Sequence, residues 1–288
     1  MRVLITGCGG FTGRYLQAEL AAQGHEVVGL KADLTDAAAL AAEMQAVQPD
    51  WVVHLAGIAF VGHGEPNDFY RVNLMGTRNL LAALAACGKR PECVLLASSA
   101  NVYGNAAEGM LGEDTPPNPA NDYAVSKLAM EYMARTFLDR LPVVIARPFN
   151  YTGPGQPNNF VIPKLVDHFA RRAPVVELGN LDVAREFNDV RMVCQAYALL
   201  LKHGKAGELY NVCTGRPYTL QQVMEVLAAL TGHRLEVRVN PAFVRANEVK
   251  TLCGNPSRLQ RMAVEKGVAL PQFGLEETLR WMLAESAA

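Results

Sequence analysis

One stretch near the start of the chain decides the fold: Val3-Leu4-Ile5-Thr6-Gly7-Cys8-Gly9-Gly10-Phe11-Thr12-Gly13. A short apolar run of strand type leads directly into a glycine-rich turn, and helical periodicity follows as far as Gly24. A strand, a tight turn and a helix in this order form the first half of a βαβ unit. The stretch therefore predicts an α/β protein whose first helix begins at the turn.

The glycines of this turn have the spacing of a phosphate-binding loop. Gly7 permits the tight turn, Gly10 lets backbone N–H groups approach a pyrophosphate at the helix amino terminus, and Gly13 allows close helix–strand packing. A turn without a ligand is the alternative, and the position within a βαβ unit argues against it. The predicted dinucleotide contacts here are Gly7, Gly10, Phe11, Thr12 and Gly13.

Apolar runs alternate with helical patterns beyond this turn. The runs are 27–30, 51–55, 93–96 and 143–146, and the helical patterns are 37–47, 69–87 and 123–140. Strands that alternate with helices form a parallel sheet with helices on both faces. We therefore predict a doubly wound parallel sheet of the Rossmann type.

The character of the sequence changes after Asn150, where 153–159 forms an irregular polar stretch. A smaller α/β substrate domain is expected to begin there, whereas Tyr210-Asn211-Val212 has the pattern of one further sheet strand. The predicted division is a dinucleotide-binding domain from 1–152 plus 186–212, and a C-terminal substrate domain from 153–185 plus 213–288.

The end of the second predicted strand bears on the choice between NAD and NADP. NAD-preferring enzymes usually carry an acidic residue there for the ribose 2′-hydroxyl, whereas here Leu30 is followed by Lys31. Lys31 and Arg14 are therefore candidates for a 2′-phosphate, with solvated surface cations as the alternative, and NADP is favoured. Further predicted cofactor contacts are Asp33 and Leu34 at the adenine, and Leu55, Ala56 and Gly57 where backbone is approached closely.

Tyr123 and Lys127 lie four residues apart in Asp122-Tyr123-Ala124-Val125-Ser126-Lys127 and so share one face of a predicted helix. A phenol with a pKa of about 10 transfers protons poorly at neutral pH, and an adjacent ammonium is expected to lower that pKa. Lys127 can also donate to a nicotinamide ribose hydroxyl. An ordinary amphipathic helix is the alternative.

Ser98 and Ser99 stand at the carboxyl end of a predicted central strand, where open α/β sheets bind ligands. We assign to Ser99 the role of holding the substrate oxygen that Tyr123 protonates, with capping of the strand end as the alternative. Asn73 is a polar residue in an otherwise apolar helical pattern. It is expected to hold a local irregularity beneath the site, the alternative being an exposed helical Asn.

Composition bounds the classes of function. The 288 residues are 50% apolar with a formal net charge of −1, which fits a folded enzyme and argues against broad binding of nucleic acid or anionic membrane. The six cysteines are scattered without metal-ligand spacing, so no metal is expected. Without a leader of secretory type or a long apolar run, a cytoplasmic location is expected.

Together the glycine turn, His54-Leu55-Ala56-Gly57, Asn73, Ser99, the Tyr123/Lys127 pair and Arg147-Pro148-Phe149-Asn150 resemble the extended short-chain dehydrogenases/reductases over nearly the whole chain. Three longer runs are similar to GDP-6-deoxy-4-keto-hexose reductases, which make GDP-D-rhamnose and related sugars. These runs are RPFNYTGPGQ (147–156), GNLDVAREFNDV (179–190) and ELYNVCTG (208–215).

The resemblance implies a GDP-linked or other nucleotide-linked sugar as substrate. It places Pro148 at the cofactor, Ser99, Asn101 and Asn150 at the substrate, Arg185 and Arg245 on phosphates and Glu248 on the nucleotide ribose. An arginine fork suits phosphate and a carboxylate suits a ribose diol. Structural salt bridges are the alternative for the three charged residues.

One departure from the related 4,6-dehydratases separates activities. Those enzymes carry a carboxylate two residues after the catalytic Ser/Thr, whereas this chain has Asn101, and an amide cannot abstract the carbon-bound proton. Reduction of a C4 keto group by NADPH or NADH is therefore favoured. A nucleotide-sugar 4-epimerase with tightly bound NAD and a non-catalytic NADP-binding sensor or scaffold are the rivals.

The resemblance also implies a homodimer in which two helices of each copy pair. Candidate residues for that face are Leu74, Leu81, Leu128 and Tyr132, and ordinary core packing is the alternative.

Overall fold

Six parallel strands form the central sheet in a computed structural model, which describes residues 1–59, 65–104, 109–244 and 249–286. These strands are β1 (Arg2–Thr6), β2 (Glu26–Gly29), β3 (Trp51–His54), β4 (Cys93–Ala97), β5 (Val143–Pro148) and β10 (Leu209–Val212). Their order is β2-β1-β3-β4-β5-β10. The order reverses at β1, so a crevice opens between the carboxyl ends of β1 and β3.

Helices cover both faces of this sheet. They are α1 (Phe11–Ala22), α2 (Ala37–Val47), α3 (Pro66–Asp68), α4 (Thr77–Ala85), α5 (Asp122–Arg135) and α7 (Val190–His203). A π-helical segment, Phe69–Gly76, joins α3 to α4, and a 3₁₀ turn, Ala100–Tyr103, follows β4.

Alternation along β1 shows how the two faces are built. Val3 and Ile5 belong to one apolar cluster with residues of α1 and α7, whereas Leu4 belongs to a second cluster with residues of α2, α4 and α5. Because β1 is buried on both faces from Val3 to Thr6, its sequence is continuously apolar from Val3 to Ile5. The predicted doubly wound parallel sheet is confirmed, including the strand predicted at residues 210–212.

The remaining elements lie mostly in the second half of the chain. The strands are β6 (Tyr151–Thr152), β7 (Val175–Leu178), β8 (Ala184–Glu186), β9 (Asn188–Asp189), β11 (Pro217–Thr219), β12 (Glu236–Val239) and β13 (Thr251–Leu252). The helices are α6 (Val161–Ala170), α8 (Leu220–Thr231), α9 (Ser257–Glu265), α10 (Leu275–Ser286) and a 3₁₀ turn, Pro241–Phe243.

A separate apolar cluster joins part of this half. Its core combines residues of α6, α8 and α10 with β7, and β7 pairs with β12 as a parallel two-stranded sheet. β8 pairs with β11 and β13 in a three-stranded sheet. The division into two domains at the boundaries given above stays a prediction.

The helix face expected to pair two copies of the chain is partly core. Leu81 is fully buried within the central cluster, whereas Leu74 and Leu128 are half-buried and Tyr132 is 56% exposed. Core packing therefore accounts for Leu81, and the homodimer stays a prediction. In the described parts of the chain, no helix is both long and apolar enough to cross a bilayer.

The glycine turn brings backbone against backbone. A Cβ atom built on Gly13 would lie 2.3 Å from the carbonyl oxygen of Gly7 and 2.5 Å from that of Cys8. A Cβ on Gly9, in the same turn, would meet no atom within 4 Å. Only one of these two glycines is therefore required by packing.

We expect Gly13→Ala to lower the free energy of unfolding by about 2 kcal/mol or more, because backbone atoms of the turn have to shift to admit the methyl group. Gly9→Ala is the matched control and should stay within about 0.5 kcal/mol of the native protein. Urea titration followed by circular dichroism measures both. Equal losses for the two variants would contradict the packing argument.

Candidate active site

A cavity of about 530 Å³ opens at the carboxyl ends of β1, β3, β4 and β5. Most of the predicted site residues line this cavity. They are Gly7, Gly10, Phe11, Thr12, Gly13, Leu55, Ala56, Gly57, Ser99, Asn101, Tyr123, Lys127, Pro148 and Asn150. The glycine turn and the motif at 147–150 thus meet at this cavity, although more than 140 positions of the sequence separate Gly7 from Asn150.

The glycine turn forms one end of this cavity. Gly7 adopts a positive φ of 70°, and a Cβ there would lie 3.0 Å from the backbone nitrogen of Ala56, which follows β3. Gly10 is the N-cap of α1, and no side chain in the described structure caps this helix end. Backbone N–H groups and the helix dipole at such an end suit the phosphates of a dinucleotide.

A buried histidine braces the other side of the crevice. His54 Nδ1 lies 2.7 Å from Thr6 Oγ1, and its Nε2 lies 2.8 Å from Thr77 Oγ1. Burial, together with the charge of Lys127, lowers the pKa of His54 to about 3. Thr77 Oγ1 donates its hydrogen to Asn73 O at 2.6 Å and so accepts from Nε2–H, which leaves Nδ1 of the neutral ring to accept from the Thr6 hydroxyl. His54 is therefore a neutral crosslink between β1, β3 and α4.

Asn73 lies in the π-helical segment and is fully buried. Its Oδ1 accepts from Ile58 N at 2.8 Å, and its Nδ2 donates to Ile58 O at 3.2 Å and to Ser126 Oγ at 3.1 Å. The alternative of an exposed helical Asn is therefore wrong. Asn73 ties the segment that follows β3 to α5, while its contact with a cofactor stays a prediction.

Ser99 is oriented by its neighbour. Ser99 Oγ accepts from the backbone N–H and from Nδ2 of Asn101, at 3.1 Å each, and the first of these bonds caps the 3₁₀ turn. It also forms a hydrogen bond with Tyr123. Capping by Ser99, which the sequence left open as the alternative role, thus occurs together with a hydrogen bond to the phenol. Because both lone pairs of Ser99 Oγ are engaged by Asn101, the hydroxyl hydrogen of Ser99 points to another acceptor.

The pKa of Tyr123 shifts in the direction opposite to the one expected from the sequence. Burial raises the pKa of Tyr123, and the hydrogen bond with Ser99 only partly opposes this. The expected net lowering by Lys127 is wrong for this structure, because removal of the phenolate from water is the largest influence on this pKa and the bond with Ser99 is the one that opposes it. Tyr123 is therefore protonated at neutral pH.

Lys127 is buried beside Tyr123, one helical turn along α5. Its Nζ donates to the carbonyl oxygen of Ala97 at 2.9 Å, and it lies 3.4 Å from where a Cβ of Gly57 would stand. Burial lowers the pKa of Lys127 to about 8, and the charge of Glu131 opposes that shift. Both Gly57 and the ammonium thus border the cavity beneath the end of β3.

Several predicted residues lie away from the cavity lining. Arg14 donates to the carbonyl oxygen of Gly155 at 3.2 Å, and Asp33 accepts from Thr35. Leu34 is buried beneath Gly76. These contacts leave their roles at a cofactor as predictions.

A carboxylate from α2 lies at the end of β2, a position that the sequence alone did not predict. The backbone N–H groups of Lys31 and Ala32 donate to the carboxylate of Glu43, at 2.9 and 2.7 Å, from α2. Glu43 is twelve positions after Lys31, so only the fold brings the two together. The role of Lys31 at a 2′-phosphate stays a prediction.

Of the charged residues predicted at the nucleotide, Arg185 is described by the structure and is not among the residues that line the cavity. Arg185 is buried and donates to the carbonyl oxygens of Ala184 and Lys250, at 2.9 Å each, and to that of Val249. Its contact with a phosphate stays a prediction. Arg245 and Glu248 lie outside the described residues.

Aromatic residues of the cavity lining that were not predicted include Tyr151 and Tyr197. Tyr151 forms a 2.8 Å hydrogen bond with Thr12 Oγ1 and stacks on Phe11, with ring centroids 6.1 Å apart. Tyr197, from α7, is fully buried at the same cavity. Tyr151 follows the motif at 147–150 directly, which was the available signal, whereas nothing local in α7 marks Tyr197.

Comparison with known proteins agrees with this geometry. The chain is 38% identical over 300 residues to GDP-6-deoxy-D-mannose reductase of Pseudomonas aeruginosa, covering 99% of this chain and 96% of the relative. It is 35% identical over 266 residues to GDP-6-deoxy-D-talose 4-dehydrogenase of Aggregatibacter actinomycetemcomitans, covering 90% of each. The solved structure of RMD from Pseudomonas aeruginosa complexed with NADPH superposes with a TM-score of 0.87 at 36% identity, covering 99% and 96%.

A family model, described as the NAD dependent epimerase/dehydratase family, matches residues 3–213. This range contains the glycine turn, Ser99, Tyr123, Lys127 and the motif at 147–150. The resemblance inferred from the sequence and the prediction of an enzyme are confirmed. The chain belongs to the NAD dependent epimerase/dehydratase family.

Proposed function

We propose that this enzyme reduces the C4 keto group of a nucleotide-linked 4-keto-6-deoxyhexose, with GDP-4-keto-6-deoxy-mannose as substrate and GDP-D-rhamnose as product. The convergence of Ser99, Tyr123 and Lys127 on one cavity carries this proposal. The two relatives named above, one a GDP-6-deoxy-D-mannose reductase, support the substrate class.

The residues of the cavity fit a nicotinamide dinucleotide. Gly7 and Gly13 let the turn pack closely against backbone atoms, and the uncapped end of α1 presents N–H groups suited to a pyrophosphate. When bound, the cofactor supplies the hydride. We assign its phosphates to the turn from Gly10 to Gly13, and its ribose to Tyr123 and Lys127.

Tyr123 is the proposed acid. Because burial raises its pKa, the phenol carries its proton at neutral pH and can pass it to the oxygen that becomes an alkoxide. Ser99, oriented by Asn101, donates a hydrogen bond to the same oxygen. Lys127 compensates negative charge as Tyr123 gives up its proton. A protonated acid suits reduction, and the amide of Asn101 gives no base for dehydration.

We expect Tyr123→Phe to slow single-turnover oxidation of NADPH by a 4-keto sugar nucleotide about a hundredfold or more, because the proton donor is lost. The control is Tyr132→Phe on the same helix, whose side chain is 56% exposed, and it should keep the native rate. Stopped-flow absorbance at the NADPH band measures both. A native rate in Tyr123→Phe would remove the phenol from the reaction.

NADPH is the proposed reductant, with Lys31 at its 2′-phosphate. Lys31→Ala should raise KM for NADPH about tenfold through loss of a charge-assisted hydrogen bond, and leave KM for NADH unchanged. Lys202→Ala, an exposed lysine at the end of α7, is the control. A native preference for NADH would point instead to Glu43 as the group that holds a ribose hydroxyl.

The nucleotide can be identified by ligand linkage. GDP should raise the melting temperature in the presence of NADPH by more than UDP or dTDP at equal concentration, because a ligand that binds only the folded state stabilises it. Differential scanning fluorimetry measures the shifts. Stabilisation by UDP alone would contradict the proposed substrate, and turnover of a sugar nucleotide with copurified NAD and no added reductant would favour a 4-epimerase.

A further inference from the structure

A buried carboxylate joins three elements directly behind the cavity. Glu131 lies on α5 one turn after Lys127 and is 1% exposed. Ser98 Oγ donates to its Oε1 at 2.5 Å, and Arg147 donates to its two oxygens from Nε at 2.8 Å and from Nη2 at 2.6 Å. The carboxylate is thus held by residues of two neighbouring strand ends.

The partners of Glu131 are adjacent in sequence to residues that line the cavity. Ser98 directly precedes Ser99 after β4, and Arg147 directly precedes Pro148 at the end of β5. Ser98 N also donates to Ala146 O at 2.8 Å, so backbone and side chain together fix this residue. A shift of Glu131 would therefore be transmitted to the hydroxyl of Ser99.

A contribution to stability does not by itself explain why the ion pair of Glu131 and Arg147 is buried here. Desolvation of two buried charges can exceed their attraction, and apolar residues of similar volume often replace a buried ion pair without loss of stability. Glu131 and Arg147 lie on elements whose neighbouring apolar residues, Met130 and Ala134 of α5 and Ile145 of β5, belong to the second cluster. Their location behind the reacting groups calls for a role that apolar side chains cannot fill.

The charges around the Lys127 ammonium support such a role. On its own helix it faces Tyr123 and Glu131, and from β3 it faces His54, which is neutral. Burial lowers the pKa of Lys127, and Glu131 is the group that raises it. From β5, Arg147 donates to the carboxylate of Glu131 and lies 4.7 Å from the ring centroid of Tyr103. Without Glu131, no neighbouring charge would oppose the effect of burial on the pKa of Lys127.

We propose that Glu131 is a positioning residue of this active site. Through Ser98 it fixes Ser99 at the end of β4, and through its negative charge it keeps Lys127 an ammonium while that group is buried. The inference rests on the proposed function and concerns residues that act through others, since Glu131 itself is not among the residues lining the cavity described above.

Glu131→Gln tests the proposal because it removes the charge and keeps the shape and an acceptor for Arg147. Titration of the protein labelled with ¹³C at lysine Cε, with the Lys127 signal assigned by its loss in Lys127→Met, gives the Lys127 pKa directly. We expect the midpoint to fall by about one pH unit or more, which leaves about fivefold less ammonium at pH 8. The decline of kcat/KM at alkaline pH should move to lower pH by the same amount.

A second variant covers the case in which Glu131→Gln does not fold. Glu131→Met combined with Arg147→Met replaces both charges by apolar groups and is expected to fold. It should still show the lowered Lys127 midpoint and reduced kcat/KM. Met44→Ala, a fully buried residue of α2, is the control that loses stability and should leave the Lys127 titration unchanged.

An unchanged Lys127 midpoint in the folded variants would overturn the proposal and leave Glu131 with a structural part alone. A midpoint lowered equally in Met44→Ala would overturn it too, because general destabilisation would then explain the shift. If the native enzyme reduced no 4-keto sugar nucleotide, the proposed function would fail, whereas the lysine titration needs no substrate and would still decide the part of Glu131.

Discussion

The burial of one ammonium group is the constraint on which the rest of this structure depends. Lys127 is only 5% exposed, and desolvation of its charge disfavours the protonated form. The protein offsets this cost with the carbonyl of Ala97 and the carboxylate of Glu131. Each of these groups has to be held in place by further contacts. Near this lysine, α5 is joined to the π-helical segment by the bond from Asn73 to Ser126 and to β4 by the bond from Lys127 to Ala97.

Close approach of backbones is the second condition, and it follows from the order of the strands. The reversal at β1 leaves the turn after β1 in contact with the segment after β3, and Gly7 meets Ala56 there. Side chains at these positions would hold the two segments apart. Here β1 and β3 are held together by the hydrogen bond between Thr6 and His54 instead of by side-chain packing. Burial keeps the imidazole neutral, so Nδ1 remains able to accept this bond.

Much of this could be predicted from the sequence, and the reasons are local. The glycine turn, the strand runs and the four-residue spacing of Tyr123 and Lys127 are properties of neighbouring residues, so they fixed the sheet and the reacting groups. Glu43 could not be found in this way, because it approaches β2 only through packing of α2. Glu131 continues the four-residue spacing of Tyr123 and Lys127, yet its partners Ser98 and Arg147 are brought to it by the sheet.

The sign of the Tyr123 pKa shift shows why spacing alone misleads. Helical periodicity places an ammonium near the phenol and predicts a lowered pKa, but periodicity carries no information on desolvation. In the folded protein both groups are buried, so each loses hydration and the two pKa values move apart: that of Tyr123 rises and that of Lys127 falls to about 8. Such a shift does not prepare a phenolate. In the proposed reaction it keeps a proton on the phenol that is to donate one, and it leaves beside the phenol a cation whose charge responds to its surroundings, which suits reduction of a carbonyl.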